Sequence, residues 1–339
     1  MRILVTGGAG FIGSHLVRSL VSEYQHDVFV IDKLSYASDL TNLKDVESKI
    51  EFAKLDINVR TEVTSIFQQF QPQAIFHLAA ESHVDRSIEL ADAFIQTNFN
   101  GTFQLLEATR DYLAAVDSEI AKDFRFVHVS TDEVFGPAEQ GSCTENSTYY
   151  PSSPYSASKA AADQLVHAWH VTYGLPTIIT RSSNNYGPFQ HPEKLIPKTI
   201  VNAISGKNIP IYGTGNNIRD WLYVADHVKA LISVLVSGRP GESYNIASST
   251  ELTNLTVVDT ICKTLDQLKP DSAPHQGLIE FVEDRLGHDL RYSLDFAKIT
   301  EATNWQPNTD FETGIAETMK WYFDNDSWWR PKIDAACRL

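Results

Sequence analysis

The sequence predicts an α/β protein built on a doubly wound parallel sheet, with helices on both faces of the strands. Three observations predict this fold. Short apolar runs alternate with amphipathic segments over the first half of the chain,. The runs are apolar almost throughout, as in AIFHLA, which is typical of strands buried on both faces,. A glycine-rich turn separates the first run from the first helical pattern, as in Rossmann-type folds,.

Six apolar runs have the length of strands, and helical patterns lie between them. The two longest helical patterns cover residues 91–115 and 156–173. From about residue 183 the pattern is irregular and rich in Asn, Pro and Gly. We therefore expect a main domain over residues 1–182 and a smaller mixed lobe over residues 183–339, with a strand and a helix returning to the main domain. The six predicted strands cover residues 3–6, 28–32, 51–55, 74–79, 124–130 and 177–181.

The charge balance narrows the classes of partner. The 339 residues include 28 Lys and Arg against 43 Asp and Glu, so the formal net charge is -15. A surface this acidic repels phosphate backbones and anionic lipids, so we expect neither nucleic acid nor a membrane as a partner. An anionic ligand must therefore be met by a local cluster of basic side chains or by helix N-termini.

The sequence predicts neither a targeting segment nor a membrane span. The first apolar run is too short for a signal-peptide core, and no stretch approaches the roughly 20 apolar residues of a membrane helix,. The three cysteines, Cys143, Cys262 and Cys337, lie far apart and lack metal-ligand spacing,. We therefore expect a cytoplasmic protein with free thiols and no bound metal.

The first glycine-rich turn has the spacing of a dinucleotide-binding loop. Gly7, Gly10 and Gly13 recur at every third residue in TGGAGFIG, between a predicted strand and a predicted helix,. The glycines let the backbone approach a pyrophosphate, which the helix N-terminus attracts. Asp32 ends the second strand about 20 residues later, where a carboxylate binds ribose hydroxyls and repels a 2'-phosphate,. A surface acid capping a helix is the alternative, but the context favours an NAD site.

A tyrosine and a lysine form a candidate catalytic pair. Tyr155 and Lys159 stand four residues apart in YSASK, so both side chains project from one face of a predicted helix,. We expect the ammonium group to lower the pKa of the phenol and so make it a usable base near neutral pH. An exposed helix face also carries such pairs, but the dinucleotide loop upstream favours catalysis.

Two adjacent acids form a second candidate pair. Asp132 and Glu133 follow the fifth predicted strand in STDEVFG. Neighbouring carboxylates repel each other, and surroundings that push their pKa values apart would give one acid and one base. A solvated turn is the alternative, and the neighbouring motifs favour catalysis.

These motifs together resemble the extended short-chain dehydrogenase/reductase family of NAD-dependent epimerases and dehydratases, and within it the dTDP-glucose 4,6-dehydratases. The resemblance covers nearly the whole chain. Its most discriminating segment is Thr131-Asp132-Glu133, because similar sugar epimerases carry small or apolar residues at the acidic positions, and related decarboxylases and GDP-mannose dehydratases lack the aspartate. The matching segments are TGGAGFIG, DKLSYA, AAESHVDRSI, STDEVFG, SSPYSASKA, SNNYGP, PEKLIP and IRDWLYV.

The resemblance implies an NAD-dependent lyase that converts dTDP-glucose into its 4-keto-6-deoxy derivative. In that reaction Tyr155 takes the C4 hydroxyl proton, assisted by Thr131 and Lys159. Glu133 then removes the C5 proton, and Asp132 protonates the departing C6 hydroxyl. The resemblance also implies a homodimer formed through the two longest helical patterns.

Alternatives remain open at this point. UDP-glucose dehydratases share the acidic motif, so the nucleotide base is not settled. An epimerase or decarboxylase of the same fold is a second alternative, against which Asp132 argues. A non-catalytic NAD-binding protein is a third, and it would have no reason to keep both candidate pairs together.

The resemblance also implies two sets of binding residues, with NAD bound mainly by residues 1–182 and the nucleotide sugar mainly by the second lobe. Two positions depart from the family pattern: Leu286 replaces a usual proline, and Ser182 stands where cysteine is frequent. The residues expected at NAD are Gly7, Gly10, Phe11, Ile12, Gly13, Asp32, Lys33, Leu34, Ser35, Asp56, Ile57, Leu78, Ala79, Ala80, Ser82, Thr97, Tyr155, Lys159 and Asn185. Those expected at the nucleotide sugar are Ser82, His83, Thr131, Asn184, Lys194, Leu195, Pro210, Ile211, Tyr212, Arg219, Asn254, Asp284, Arg285 and His288.

Overall fold

Each of the six apolar runs forms a strand, with ends that differ from the predicted ones by no more than two residues. The computed structural model describes residues 1–336, so Cys337 lies outside the described residues. In chain order, the strands are β1 (Arg2–Thr6), β2 (Asp27–Asp32), β3 (Ile50–Lys54), β4 (Ala74–His77), β5 (Arg125–Thr131), β6 (Thr177–Ser182), β7 (Asn184–Tyr186), β8 (Ile209–Tyr212), β9 (Ile218–Tyr223), β10 (Ser243–Ile246), β11 (Glu251–Thr253) and β12 (Ile279–Val282).

Helices connect the strands and cover both faces of the main sheet. No helix within residues 1–336 is both long enough and apolar enough to cross a membrane. In chain order, the helices are α1 (Phe11–Ser22), α2 (Arg60–Phe70), α3 (Val84–Glu89), α4 (Ala91–Phe94), α5 (Gly101–Ala115), α6 (Ser118–Asp123), α7 (Pro154–Tyr173), α8 (Leu195–Ile204), α9 (Val224–Ser237), α10 (Asn254–Leu268), α11 (Ala297–Thr303), α12 (Phe311–Asp324) and α13 (Asp326–Ala336).

The main sheet has the strand order β10-β6-β5-β4-β1-β2-β3, and all its neighbouring strands are parallel. The order reverses between β1 and β4, which is the switch point at which doubly wound sheets bind ligands. The predicted fold class is therefore confirmed. β10 comes from the second half of the chain and pairs with β6.

The alternation of side chains along the strands divides the core of the main domain into two layers. On β1, Ile3 and Val5 belong to one apolar cluster, and Leu4 belongs to the other. Helices α1 and α9 pack on the first face, through residues such as Leu16 and Leu231. Helices α2, α5 and α7 pack on the second face. Because α9 lies after β9 in the chain, the main core combines residues from both halves of the sequence.

The second lobe has its own apolar cluster. Helices α8, α10, α12 and α13 surround it, together with two small sheets of strand order β11-β9-β7 and β12-β8. Trp329 of α13 is 2% exposed in this cluster, and its indole Nε1 donates to the Tyr322 carbonyl at 2.8 Å. This tryptophan therefore fixes the end of the chain to the second lobe.

The helix predicted over residues 91–115 has the expected bounds, but its middle is π-helical instead of α-helical. The structure divides it into α4, a π-helical segment (Ile95–Asn100) and α5. Gly101 follows the π-helical segment because a Cβ there would lie 2.7 Å from the Ile57 side chain. Within the segment, Asn98 bonds the backbone of Glu81 through both ends of its amide and also donates to the Ser158 hydroxyl. Wider turns of this kind often occur at functional sites.

Candidate active site

A cavity of about 580 Å³ opens at the carboxyl ends of the parallel strands and extends into the second lobe. The candidate catalytic residues Thr131, Asp132, Glu133, Tyr155 and Lys159 all line it. So do all the binding residues expected from the sequence except Leu34 and Asp284. One cavity thus unites residues that lie far apart in the sequence.

The glycine loop sits at the end of β1 and starts α1. Gly7 has a φ of +72°, and a Cβ there would lie 2.7 Å from the Ala79 backbone nitrogen. A Cβ on Gly13 would lie 2.1 Å from the Gly7 carbonyl oxygen. No side chain fits at either position, so the backbone itself forms the wall of the cavity. This cradle, open at the N-terminus of α1, fits the pyrophosphate of a dinucleotide.

Asp32 lies at the end of β2, next to this cradle. Its carboxylate accepts the Ala9 N–H at 3.0 Å and the Leu34 N–H at 2.8 Å. Burial raises the pKa of Asp32, and these hydrogen bonds act in the opposite direction. Leu34 has a φ of +57° and packs against the main core instead of lining the cavity. Lys33, which lies between Asp32 and Leu34, donates to the Thr97 hydroxyl and pairs with the Glu81 carboxylate.

Helix α7 begins with a capping box that places the tyrosine and the lysine. Ser153 and Ser156 bond each other's backbone N–H groups, and Pro154 occupies the first turn,. The helix therefore starts one residue before Tyr155, earlier than its apolar pattern indicated. Lys159 is 4% exposed, and its ammonium donates to the Val129 carbonyl of β5 at 2.8 Å.

The expected effect of the lysine on the phenol is wrong for this structure. Burial raises the pKa of Tyr155, the Glu133 carboxylate adds to the rise, and the Thr131 hydroxyl acts in the opposite direction. Burial lowers the pKa of Lys159 to about 8, against the influence of Asp163. The sequence shows the spacing of the pair but not the low dielectric and the nearby acids, which dominate here.

The two adjacent acids stand in different electrostatic surroundings. Burial raises the pKa of Asp132 to about 8, and the neighbouring Glu133 carboxylate adds to the rise. Burial also raises the pKa of Glu133, but the cations Arg219, Arg285 and Lys194 act against it. Asp132 is therefore mostly protonated at neutral pH. Its Oδ1 accepts from the Thr131 hydroxyl at 3.1 Å, while Oδ2 is buried without a hydrogen-bond partner among the described residues.

Three cations supply the basic cluster that an acidic protein needs to hold an anion. Lys194 donates to the Ser82 carbonyl at 2.8 Å, and burial lowers the pKa of Lys194. Arg219 donates to the carbonyls of Ile218, Asp289 and Leu290 and lies over the Tyr292 ring. Arg285 comes within 3.3 Å of Asp85. Their convergence on one cavity fits a diphosphate.

Other side chains complete the second-lobe wall. Asp284 does not line the cavity but accepts from His288 Nδ1 at 2.7 Å, and so orients the histidine that does. Leu286 is 76% exposed, so the departure from the family proline lies at the surface. Among the side chains that the structure describes, no three of His, Cys, Asp or Glu converge as ligands of a metal ion.

Sequence reasoning missed several lining residues. Glu193, His191 and Asp85 line the cavity, and Glu193 lies 3.6 Å from both His83 and His191. Burial lowers the pKa of His83 to about 4, and Lys194 adds to this effect. Glu193 and Asp85 stand inside the segments PEKLIP and AAESHVDRSI, next to residues that were predicted, and that proximity was the available signal.

Comparison with known proteins agrees with this geometry. The family model for GDP-mannose 4,6-dehydratase matches residues 4–318. The dTDP-glucose 4,6-dehydratase of Haemophilus influenzae is 53% identical over 335 residues, which cover 96% of this chain and 99% of that protein. The chain belongs to the dTDP-glucose 4,6-dehydratase family.

Two solved structures of dTDP-glucose 4,6-dehydratases share the fold. DesIV from Streptomyces venezuelae, solved with NAD and dTDP bound, has a TM-score of 0.90 and 44% identity, with 98% of this chain and all of that chain covered. The Bacillus anthracis enzyme, solved with NAD, has a TM-score of 0.87 and 41% identity, with 98% and 99% covered. The resemblance to dTDP-glucose 4,6-dehydratases that the sequence motifs indicated is thereby confirmed.

The position of Asp32 leads to a prediction on cofactor choice. Asp32→Gly removes a buried carboxylate that repels a 2'-phosphate and bonds the ribose hydroxyls. We expect the ratio of NAD to NADP affinity to fall by at least about tenfold, since one ionic hydrogen bond contributes about 1.5–3 kcal/mol. Titration calorimetry with both cofactors measures the ratio. Equal binding of NAD and NADP by the unaltered protein would contradict the assignment.

The raised pKa of Asp132 leads to a prediction on stability. The unfolded chain ionises Asp132 near pH 4, whereas the folded chain does so near pH 8, so this residue makes folding less favourable as pH rises between those values,. Asp132→Asn removes the effect. We expect its Tm to exceed that of the unaltered protein by roughly 2–6 °C at pH 8, and the gap to vanish near pH 4.

Asp324→Asn, at an exposed carboxylate, is the control for that measurement. It should give the same small Tm difference at every pH. A gap for Asp132→Asn that does not change with pH would show that Asp132 is ionised in the folded chain.

Proposed function

We propose that this chain is an NAD-dependent hydro-lyase that converts dTDP-glucose into dTDP-4-keto-6-deoxyglucose and water. One observation carries the proposal beyond family membership. Asp132 and Glu133, which differ in the charges that surround them, stand beside Tyr155 in the same cavity. A site that only oxidised or epimerised C4 would not need a protonated acid as well as a base. Removal of water across C5 and C6 needs both.

The cofactor fits the cradle formed by the glycine loop, Asp32 and the end of β4. Bound NAD supplies the acceptor for a hydride from C4 and the donor that returns it to C6. In this cradle a side chain would not fit at Gly7 or Gly13, so the backbone can approach the pyrophosphate. The Asp32 carboxylate lies where the ribose would bind. The NAD-bound relatives support this assignment.

Tyr155 acts on the first proton. We assign it to accept the C4 hydroxyl proton while C4 is oxidised to a ketone. The Thr131 hydroxyl stabilises the ionised phenol and so acts against burial and the Glu133 charge, which raise the pKa of Tyr155. Lys159 holds the helix against β5 through the Val129 carbonyl, which fixes the distance between the phenol and the acidic pair.

The acidic pair acts on the second step. The C4 ketone makes the C5 hydrogen acidic, and Glu133 removes it as a base. Asp132 gives its proton to the C6 hydroxyl, which leaves as water. The unpartnered Oδ2 of Asp132 is the atom free to make this donation. Glu133 then returns a proton to C5 as C6 is reduced. The proton that Tyr155 took from the C4 hydroxyl passes to Asp132, so neither the sugar nor the site gains a net charge.

The second lobe holds the nucleotide diphosphate in this proposal. Lys194, Arg219 and Arg285 meet the phosphates, and Tyr212, Asn254 and His288 line the more distant part of the cavity. Residues 1–182 thus bind mainly NAD, and residues 183–339 bind mainly the nucleotide sugar. We also propose a cytoplasmic homodimer, in which the exposed apolar residues Ile95, Val171 and Tyr173 on the long helices face a second copy.

The proposed function is tested by turnover of dTDP-glucose. Incubation with this sugar should give a 4-keto-6-deoxy product, which mass spectrometry detects as the loss of one water. Tyr155→Phe should lower the rate by about 10²–10⁴-fold, because general-base assistance is worth that much. Faster turnover of UDP-glucose than of dTDP-glucose would move the assignment to the uracil nucleotide, and product without loss of water would favour an epimerase.

The division of labour between the acids gives a further prediction. In heavy water, Asp132→Asn should still allow Glu133 to exchange the C5 hydrogen, while loss of water slows by about 10²-fold or more. Glu133→Gln should prevent the exchange as well. Deuterium at C5 of recovered dTDP-glucose is measured by mass spectrometry. Exchange in neither variant would mean that the C5 and C6 bonds break together, which contradicts separate roles.

A further inference from the structure

Helix α13, at the far end of the described chain, contacts the loop that follows Asp32. The indole Nε1 of Trp328 donates to Asn42 Oδ1 at 2.8 Å. The Lys332 ammonium pairs with the Asp39 carboxylate and lies 4.3 Å above the Trp328 ring. Neither contact belongs to the cavity wall, and the reaction proposed above uses neither.

Asn42 connects this contact to the dinucleotide cradle. Its side chain is 1% exposed, and Nδ2 donates to the Ala9 carbonyl at 2.8 Å. The Asp39 N–H donates to the same carbonyl at 3.1 Å. On the other side of the same residue, the Ala9 N–H donates to Asp32 Oδ2 at 3.0 Å. A continuous set of hydrogen bonds therefore runs from α13 to the carboxylate at the ribose end of the cavity.

The other end of this connection is fixed in the second lobe. Trp329 is buried there, with its indole bonded to the Tyr322 carbonyl. Trp328 packs against Trp321, with ring centroids 4.9 Å apart. Phe189 contacts Trp321 and also the Arg18 guanidinium of α1. Helix α13 thus packs within the second lobe and is hydrogen-bonded to the loop that follows Asp32.

We propose that Trp328 and Asn42 are positioning residues that hold the loop of residues 33–43 over bound NAD and so slow its release. Ser35, Ala37 and Ser38 of this loop line the cavity, so the loop forms part of the wall that would face bound NAD. The inference rests on the proposed function for the identity of the cofactor. In that function NAD is restored in each cycle, so slow release costs no turnover.

The hydrogen bond from Trp328 is the link to remove. Trp328→Phe keeps an aromatic ring against Trp321 and Lys332 but leaves the buried Asn42 Oδ1 without its donor. A typical buried hydrogen bond is worth roughly 2- to 12-fold in an equilibrium or rate. We expect NAD to dissociate from this variant faster by about that factor.

The experiment uses the full chain loaded with radiolabelled NAD and chased with excess unlabelled NAD, with no sugar present. Rapid gel filtration gives the label that remains bound with time. Trp305→Phe is the matched control, because Trp305 also donates one indole hydrogen bond, to the Asp226 carbonyl at 3.0 Å, in another part of the core. This control should lower the Tm without changing NAD dissociation.

A double-mutant comparison tests the route through Asn42. In an Asn42→Ala background, where the acceptor is gone, Trp328→Phe should not accelerate NAD release further. Additive effects of the two substitutions would overturn the route, and equal effects of Trp328→Phe and Trp305→Phe would overturn the specific role. Unchanged release in Trp328→Phe would overturn the proposal outright.

Failure of this inference is distinguishable from failure of the proposed function. The release measurement needs NAD but no sugar, so loss of dTDP-glucose turnover leaves its outcome unaffected. Conversely, turnover of dTDP-glucose with an unchanged release rate in Trp328→Phe would leave the proposed function standing and this inference refuted. No NAD binding by the unaltered protein would refute both.

Discussion

The parallel pairing of six strands is the constraint on which the site depends. Parallel strands end at the same edge of a sheet, so the loops that leave their carboxyl ends meet in one place. The chain uses this edge repeatedly, although the contributing residues are spread over most of the first half. The residues that end or follow β1 to β6 in the cavity are Gly7, Asp32, Asp56, Leu78, Thr131 and Ser182.

The second lobe changes the electrostatics of that edge. Without it, Asp132 and Glu133 would face water and both would be ionised at neutral pH. Arg219 and Lys194 close the space above them, which excludes water and at the same time supplies positive charge near Glu133 but less near Asp132. The difference between two adjacent acids is therefore a property of the enclosure. Burying two ionisable groups costs folding energy, because they lose their contact with water. Proteins retain such groups where they serve chemistry.

Local sequence predicts the parts of this molecule whose cause is local. The strands follow from runs of buried-type residues. The glycine loop follows from the three-residue spacing of its glycines, and the structure shows that a Cβ would not fit at Gly7. The start of α7 has its reason in Ser153 and Ser156, three residues apart. Each of these can be derived from a window of a few residues, and the structure agrees with it to within two residues.

The parts that could not be predicted have distant causes. The π-helical segment depends on Asn98 reaching Glu81 and Ser158, and the spacing of the apolar residues does not show those bonds. The raised pKa of Tyr155 comes from burial and from Glu133, and neither effect follows from the lysine four residues away. The contact between Trp328 and Asn42 joins residues 286 positions apart. Such effects appear only when distant segments of the chain come together.

The late position of β10 in the chain has a consequence for how the protein is made on the ribosome. β6 is buried along its whole length and relies on β10 to cover its outer edge. A nascent chain that has emerged only as far as α9 therefore holds a finished cofactor-side sheet with one apolar edge open. Open edges of this kind pair with other chains. Between synthesis of β6 and of β10, the buried-type edge of β6 is thus open to pairing with another chain, and β10 later covers it.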